Sequence, residues 1–437
     1  MDSRQKLAWE QELWDEFSKP GFESGGRYPV IGVVGMIRSG YGKYAGLSKE
    51  EQDAEIERLG QHSTNWFDEL FRNSFSQSHN LSLSGGSEKN TYYISLGYSN
   101  NNGLVKKSEY DRYSISSKID IKPNKRVKMG LSADMGWQRS RGSSGNVDPF
   151  KYAYFANPYE RPYNDNGSYS ADQTYFSIRS ANGNLDHPLP EAGFNVMREI
   201  NNTSVKDNHF SLTLMGNMRV DILDNLSFEG LASYSYVTDN TDNFNDRDTY
   251  AAWQDRPFDN TFTSKRTYSN ITQSSTYNRS YNLRGQLHYF NTFNDIHYLS
   301  ALFGSEIRGQ YAKSIFTKRY GYDPVSGNSA FPVYGDGTNI YPEGTNIDRE
   351  KLQQYAHIVD GLSGQSIIED RFASFYFSLD YVLLKRYILS LTARTDGSNN
   401  FGNDEQFNPT GSLGLAWNVD QEKFFQPLKK WMSSLSL

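Results

Sequence analysis

Residues 208–222 read NHFSLTLMGNMRVDI. Successive side chains of an extended chain point to opposite faces. Phe210, Leu212, Leu214, Gly216, Met218, Val220 and Ile222 therefore share one face, and Ser211, Thr213, Asn217, Arg219 and Asp221 share the other. One face is apolar along its whole length and the face behind it is wet. Strands of soluble proteins alternate in the same way, but over only about 5 to 6 residues. This stretch asks for an apolar neighbour that is much longer.

The bulk composition narrows what that neighbour is. Only 36% of the 437 residues are hydrophobic and the mean hydropathy is -0.73, yet 15% are aromatic, with 31 Tyr and 26 Phe. A disordered chain is poor in aromatics, and a soluble α/β enzyme is richer in Leu, Ala and Val. The net charge of -6 supplies no basic field for nucleic acid, so no nucleic-acid partner is expected. With no cysteine, disulfides and Cys-ligated metals are excluded. No apolar run is long enough for a membrane helix; the best short one, YPVIGVVGM (28–36), is broken by Pro29 and two glycines. Barrel strands escape that test, because their signal is alternation. The opening MDSRQKLAWEQELWDEF (1–17) has no basic region followed by an apolar one, and so does not read as a secretory signal.

The period-2 pattern recurs from about residue 77 onward. It is present in TYYISLGYS (91–99), YSISSKIDI (113–121), KMGLSADMGW (128–137), FEGLASYSY (228–236), LRGQLHY (283–289) and ASFYFSLDYVL (373–383), among others. The reading is of about eleven strands, with a twelfth opening at SLSL (434–437). Tight turns are expected at GGSEKN (85–90), KPNKR (122–126), LDN (223–225), FND (293–295) and LLKR (383–386). Each is followed by a longer link, at roughly 100–111, 139–205, 238–277, 309–369 and 395–408. Strict alternation of short and long connections gives an up-and-down sheet with turns at one end and loops at the other, as in outer-membrane barrels. The predicted strands suit a crossing that takes about 9 to 11 tilted residues. Tyr98, Tyr113, Trp137, Tyr387 and Trp417, near strand ends, suit an interfacial girdle.

From Trp66 to Ser114 the chain runs through an entry segment TNWFDELF, a strand HNLSLSGG, a strand YYISLGY, a loop GLVK and a strand DRYS. In this order the motifs resemble the SusC-like TonB-dependent outer-membrane transporters. NPYERPYNDNG (157–167), RTDGSNNFG (394–402) and GSLGLAWNVDQEKFF (411–425) extend the resemblance to nearly the whole chain. It implies an all-β fold, an antiparallel up-and-down transmembrane β-barrel in the bacterial outer membrane with long external loops and a short N-terminal helical segment. The chain would hold about 11 to 12 of the family's 22 strands. Residues 1–76 would form an external helix and loop segment between early strands and residues 77–437 a partial barrel, with plug and TonB box absent. The implied function is TonB-dependent import of nutrient oligomers, oligosaccharide foremost and peptide second. The implied partners are a SusD-like surface lipoprotein, TonB acting through the plug region, and outer-membrane lipid. A secreted, soluble β-rich glycan-binding module is the alternative, and it would need short strands meeting in a sandwich core.

No enzyme constellation stands out: HExxH, GxSxG and the P-loop are all missing, and GDGTNI (335–340) is an incomplete echo of a dinucleotide fingerprint. No catalytic residue and no cofactor is expected. Asp239, Asp242, Asp246 and Asp248 are dense in oxygen ligands that a structural calcium ion would suit, although a solvated acidic loop is the plainer reading. Tyr159, Arg161, Tyr163, Trp253 and Arg256 are the candidate substrate or partner contacts. Flat aromatic faces beside hydrogen-bonding groups suit sugar rings and peptide backbones. The plainer reading is that the same residues pack the long loops against one another or against a lipoprotein partner. RQKLAWEQELWDEF (4–17) and SKEEQDAEIERLG (48–60) read as helices, the second opening on a capping box of Ser48 with Glu51.

Overall fold

A computed structural model describes residues 1–17, 31–144, 147–174, 193–255, 269–330, 356–357, 359–402 and 406–437. Eleven strands form one sheet: β1 Phe75–Gly86, β2 Asn90–Asn102, β3 Glu109–Asn124, β4 Val127–Gly142, β5 Thr203–Leu223, β6 Leu226–Asn245, β7 Asn270–Phe293, β8 His297–Tyr320, β9 Ser363–Leu383, β10 Tyr387–Ser398 and β11 Phe407–Trp417. Their spatial order is their sequence order, and every neighbouring pair is antiparallel. The sheet is open, with β1 and β11 at its two edges. Tight turns and long links alternate as expected. The opening of a further strand at SLSL appears as a bridge between Asn418 and Ser436.

The register makes one face apolar across the whole sheet. Leu81 lies opposite Leu96, Leu96 opposite Ile115, Ile115 opposite Met135, and Met135 opposite Leu212. At the other edge Leu379, Leu391 and Leu413 continue the same face. Among the described residues no second sheet covers it: Leu83 is 60% exposed and Leu415 76%. The sandwich core that a soluble glycan-binding module would need is not there among the described residues. An apolar area this extensive left to water would drive aggregation, whereas in lipid it is solvated.

Aromatic rows mark both ends of this face. His79, Tyr98, Tyr113 and Trp137 follow one another at the long-loop end, with ring centroids 6.4, 5.1 and 5.6 Å apart, the first and last pairs stacked and the middle pair tilted. At the tight-turn end Tyr387 stacks on Trp417 at 6.4 Å. The five girdle candidates thus divide three to two between the two ends, where amphipathic rings favour the membrane boundaries.

The central strands are longer than the alternation indicated. β7 and β8 have 24 residues each, about 80 Å of extended chain against a hydrocarbon layer of about 30 Å. Their upper halves, such as NITQSSTYNRS (270–280), are polar on both faces and so carry no alternating signal. They extend to the long-link end of the sheet and carry the loops.

The hydrophobic cores lie in these loops. Helices α1 Ser3–Phe17, α2 Val33–Arg38 and α3 Lys49–Gly60 enclose a cluster of Leu7, Val33, Val34, Ile37 and Tyr44. The α3 capping box forms as expected, Glu51 N–H donating to Ser48 Oγ and Ser48 N–H to Glu51 Oε2. A second cluster joins α4 Trp66–Leu70, α5 Pro149–Phe155, α6 Val196–Asn202 and α7 Tyr250–Gln254 through Trp66, Leu70, Phe194, Ile200, Tyr250 and Trp253. The buried residues at the strand tops, among them Thr203, Asn245, Asn270 and Tyr320, lie next to these loops in the chain.

Candidate functional site

Two surfaces can meet a solute: the polar face of the sheet and the loops above it. On the polar face, side chains join across strands because rows of opposed residues face the same way. Arg219 on β5 donates to Glu229 on β6 at 2.8 Å, and Gln286 on β7 donates to the other oxygen of Glu229 at 2.8 Å. Tyr376 on β9 then donates to Gln286 at 3.1 Å, reaching over β8 to do so. It can cross because the β8 residue opposite it is Gly304, where a Cβ would lie 2.2 Å from the Tyr376 ring. Arg394 on β10 sits 5.9 Å from the centre of the same ring and pairs with Asp396, which also accepts from Ser374. Charged groups on three strands, β5, β6 and β10, are thereby paired and oriented, with neutral Gln286 and Tyr376 bridging between them. Nearer mid-sheet the row is Ser82, Ser95, Ser116, Asp134, Thr213, Ser235 and Ser280. Short hydroxyls there leave the wall hydrophilic without projecting into the space beside it.

The loops are tied down by buried acids. Glu10 of α1 is fully buried and accepts from Tyr159 Oη at 2.8 Å and Val34 N–H at 3.1 Å, with Lys6 Nζ at 3.7 Å. The carboxylate occupies the space where a side chain on Gly32 would lie, and Gly32 has φ of 96°. Burial pushes the Glu10 carboxyl above its ordinary range despite these donors. Glu199 of α6 accepts from the backbone N–H groups of Tyr250 and Ala251 at 2.6 and 3.1 Å, capping α7 from another loop, and burial raises it too. Glu160 is buried near Asp172, and desolvation, with Asp172 adding repulsion, holds its carboxyl well above the usual range. Thr174 Oγ1 lies 3.3 Å from Glu160 Oε1 and 3.0 Å from Asp172 Oδ1. Asn195 closes the arrangement, donating to the Pro162 and Ser170 carbonyls and accepting from Arg198 N–H.

The residues picked from the sequence as contacts fall into different places. Tyr159 is 2% exposed, donates its hydroxyl to Glu10 and accepts from Val33 N–H, and so braces the cap. Trp253 is 7% exposed and stacked on Tyr250. Both rings are packed among neighbouring loops, where a large ring gains by burial. Arg161 pairs with the exposed Asp165 at 2.7 Å, and Tyr163 is half-buried against Tyr169 at 5.5 Å. Arg256 lies outside the described residues, as does GDGTNI.

The acidic run 239–248 does not converge. Asp239 faces His209 and Asp242 accepts from Gln273, on opposite sides of β6. Among the described residues no three acidic, His or Cys groups gather in a metal-binding set. Glu10, Glu199, Asn195 and the Arg219-to-Asp396 chain were not foreseen. The one available signal was the alternation itself, which places Arg219, Glu229, Gln286, Tyr376 and Arg394 on the wet face without pairing them.

No protein-family model matches the chain. Among curated proteins it is similar to TonB-dependent receptor P3 of Formosa agariphila, 26% identical over 391 residues that cover 86% of this chain and 34% of that protein. It is also similar to TonB-dependent receptor SusC of Bacteroides thetaiotaomicron, 26% identical over 396 residues that cover 84% of this chain and 33% of that protein. The chain thus spans about a third of the length of the curated relatives it matches. Among solved structures, the RagAB peptide importer in its open-open state superimposes with a TM-score of 0.60 at 15% identity, covering 98% of this chain and 42% of that one. Its closed-closed state gives 0.59 at 17% identity, covering 95% and 42%. The resemblance read from the motifs holds, and the fold is that of a TonB-dependent receptor barrel. The bacterial outer membrane stands with it as the location. The curated relatives are named as receptors, not as enzymes.

Proposed function

We propose that the chain builds part of the wall and outer cap of a TonB-dependent importer of nutrient oligomers, foremost oligosaccharides, with peptides as the second cargo class. A SusD-like lipoprotein is the proposed partner at the loops, and TonB, acting through a plug, the proposed source of work. The observation that carries this reading is the two-faced sheet: an apolar face bounded by aromatic rows at both ends and a hydrogen-bonded polar face behind it. Lipid suits the first and a wet passage the second. Residues 1–76 act here as an external segment that packs with the loop at 143–202, a role supported by Trp66 Nε1 donating to the Asn157 carbonyl and Thr64 N–H to that of Pro158. Of the candidate contacts, Arg161 and Tyr163 stay in the proposal as cap surface; Tyr159 and Trp253 act through the shape of the cap.

The test is uptake in the source bacterium. Disrupting the gene should abolish growth on one class of oligomer while growth on its monomer continues, and labelled oligomer should no longer enter the cell. Unchanged growth and uptake on every oligosaccharide and peptide tried would remove the importer reading.

A further inference from the structure

At the tight-turn end the chain leaves β11 through QEKFFQPLKKWM (421–432), which is tied to the apolar side of the wall. Trp417 ends β11 on the same face as Leu413 and Leu415, and Tyr387 opens β10 directly opposite it. Glu422 gathers both rings by their polar ends. Its Oε1 accepts from Tyr387 Oη at 2.9 Å and from Trp417 Nε1 at 3.2 Å, and its Oε2 accepts from Arg386 at 3.0 Å. Asn418 adds a second tie, its N–H donating to the Arg386 carbonyl and its side-chain amide to that of Lys385. Phe424 then meets the Trp417 ring in an edge contact, with centroids 6.3 Å apart. All these contacts lie within β10, β11, the turn between them and the segment itself. They fix its side of the wall: the apolar one, behind the polar face.

Lys423–Lys430 is a 3-10 helix, in which side chains eclipse every third residue. Phe424 and Pro427 share one line, and Phe425, Leu428 and the closing Trp431 the next. Lys423, Gln426 and Lys429 form the third. Two adjoining lines are apolar apart from Lys430, and the third is polar. Phe425 is buried, while Leu428 and Trp431 on its line are exposed, Trp431 at 91%. A helix with lysines on one side and Trp, Phe and Leu on the other lies in a membrane interface, its apolar side sunk about 5 to 10 Å. The tight-turn boundary, marked by Tyr387 and Trp417, is such an interface and is in contact with this helix. Long lysine stems can lie along the apolar surface while their ammonium groups reach the headgroups.

We infer that residues 423–432 are an interfacial foot of the barrel, lying in the phospholipid leaflet on the tight-turn side. Leu428 and Trp431 enter the upper acyl region, and Lys423, Lys429 and Lys430 meet anionic headgroups. This role rests on the membrane placement of the barrel and is independent of the cargo.

The chain has no cysteine, so single cysteines can carry spin labels without competition. The full chain is reconstituted into phosphatidylcholine vesicles with and without phosphatidylglycerol. Labels on Leu391→Cys, Gln426→Cys, Leu428→Cys and Trp431→Cys are compared by their accessibility to oxygen and to a water-soluble nickel chelate. The labels replacing Leu428 and Trp431 should read a depth of about 5 to 10 Å, shallower than the label replacing Leu391, and the one replacing Gln426 should be open to nickel. Phosphatidylglycerol should draw the first two deeper at low salt, and added salt should remove that shift. Lys423→Gln with Lys429→Gln and Lys430→Gln should abolish the dependence on phosphatidylglycerol while the label replacing Leu391 stays in lipid. The Leu428→Cys and Trp431→Cys chains are read independently, so a failure of one to fold leaves the other to decide. Nickel reaching both of these labels as freely as the one replacing Gln426 would put the segment in water. Exclusion of both reagents from them would put it under protein. Either result, with the label replacing Leu391 still in lipid, overturns the foot and leaves the barrel in the membrane. Nickel reaching the label that replaces Leu391 would remove the membrane placement, and the foot with it.

Discussion

Tyr159 donates its hydroxyl proton to Glu10 across 2.8 Å, joining two residues 149 positions apart and pinning the N-terminal helix to the loop between β4 and β5. Both partners are buried, so neither can exchange the other for water. Hydrogen bonds to charged groups contribute about 1.5 to 3 kcal/mol. Tyr159→Phe should therefore loosen the cap locally without unfolding the sheet. Hydrogen exchange should speed up by about 10- to 100-fold in residues 3–17 and 33–38 and stay unchanged in β4 and β5. Uniform loss of protection through the strands would show that the contact is not local.

The same cap should respond to pH. Glu10, Glu160 and Glu199 all have carboxyls raised by burial above the ordinary value of 4.5. A raised acid binds protons more tightly folded than unfolded. Its contribution to stability is complete below the unfolded pKa and is lost as pH rises through the folded one. Cap protection, corrected for intrinsic exchange rates, should thus be higher near pH 5 than near pH 8. Replacing Glu10 with Gln should flatten part of that dependence. A cap that becomes tighter as pH rises would contradict the assignment.

One turn is held against its preference. Leu384 and Lys385, between β9 and β10, have φ of 55° and 59°, the left-handed region that L-residues avoid at about 1 to 2 kcal/mol each. The corresponding β7–β8 turn places Asn294 and Asp295 there, which tolerate it better. Leu384→Asn with Lys385→Gly should stabilise the hairpin, and the temperature at which heat-modifiable migration is lost should rise. No rise, or a fall, would mean that the Leu384 and Lys385 side chains supply contacts worth more than the strain.

Gly304 tests the wall. Gly304→Val would drive a side chain into Tyr376, break its bond to Gln286 and divide the polar chain at β8. Tyr376→Phe removes the hydrogen bond alone. The valine variant should lose more stability than the phenylalanine variant, by about 1 to 3 kcal/mol for the overpacking, measured by urea unfolding in micelles. Equal effects would show that the ring position is not constrained by Gly304.

How far this was legible follows from what alternation can carry. Leu212, Leu214 and Met218 sit on one face of β5 and Thr213, Asn217 and Arg219 on the other, as the sequence order requires. The tight turns at LDN and FND were equally visible, because the chain has little choice between adjoining strands. The upper half of β7 was missed because Thr272, Ser274, Ser275 and Thr276 are polar on both faces. Tyr159 and Trp253 are candidate contacts by the chemistry of their rings, and the sequence does not show what packs on them. The Glu10–Tyr159 contact has no local signature at all, and it became visible only once the two segments were side by side.

Which face meets lipid can be decided at two adjacent residues. Leu214 and Thr213 lie side by side on β5 and project to opposite faces, with Ala133 and Asp134 as their β4 partners. If the Leu214 face is in lipid, an arginine there should cost about 2 to 4 kcal/mol, as charged substitutions do near the midplane of a barrel. Thr213→Arg should cost little, since its side chain enters a wet passage that already holds Asp134 and Ser235. Urea unfolding in lipid vesicles measures both, and spin labels at the two positions should divide cleanly, with oxygen reaching the first and a water-soluble nickel chelate reaching the second. Equal costs, or the reverse accessibility, would place the membrane elsewhere and remove the basis of the importer reading.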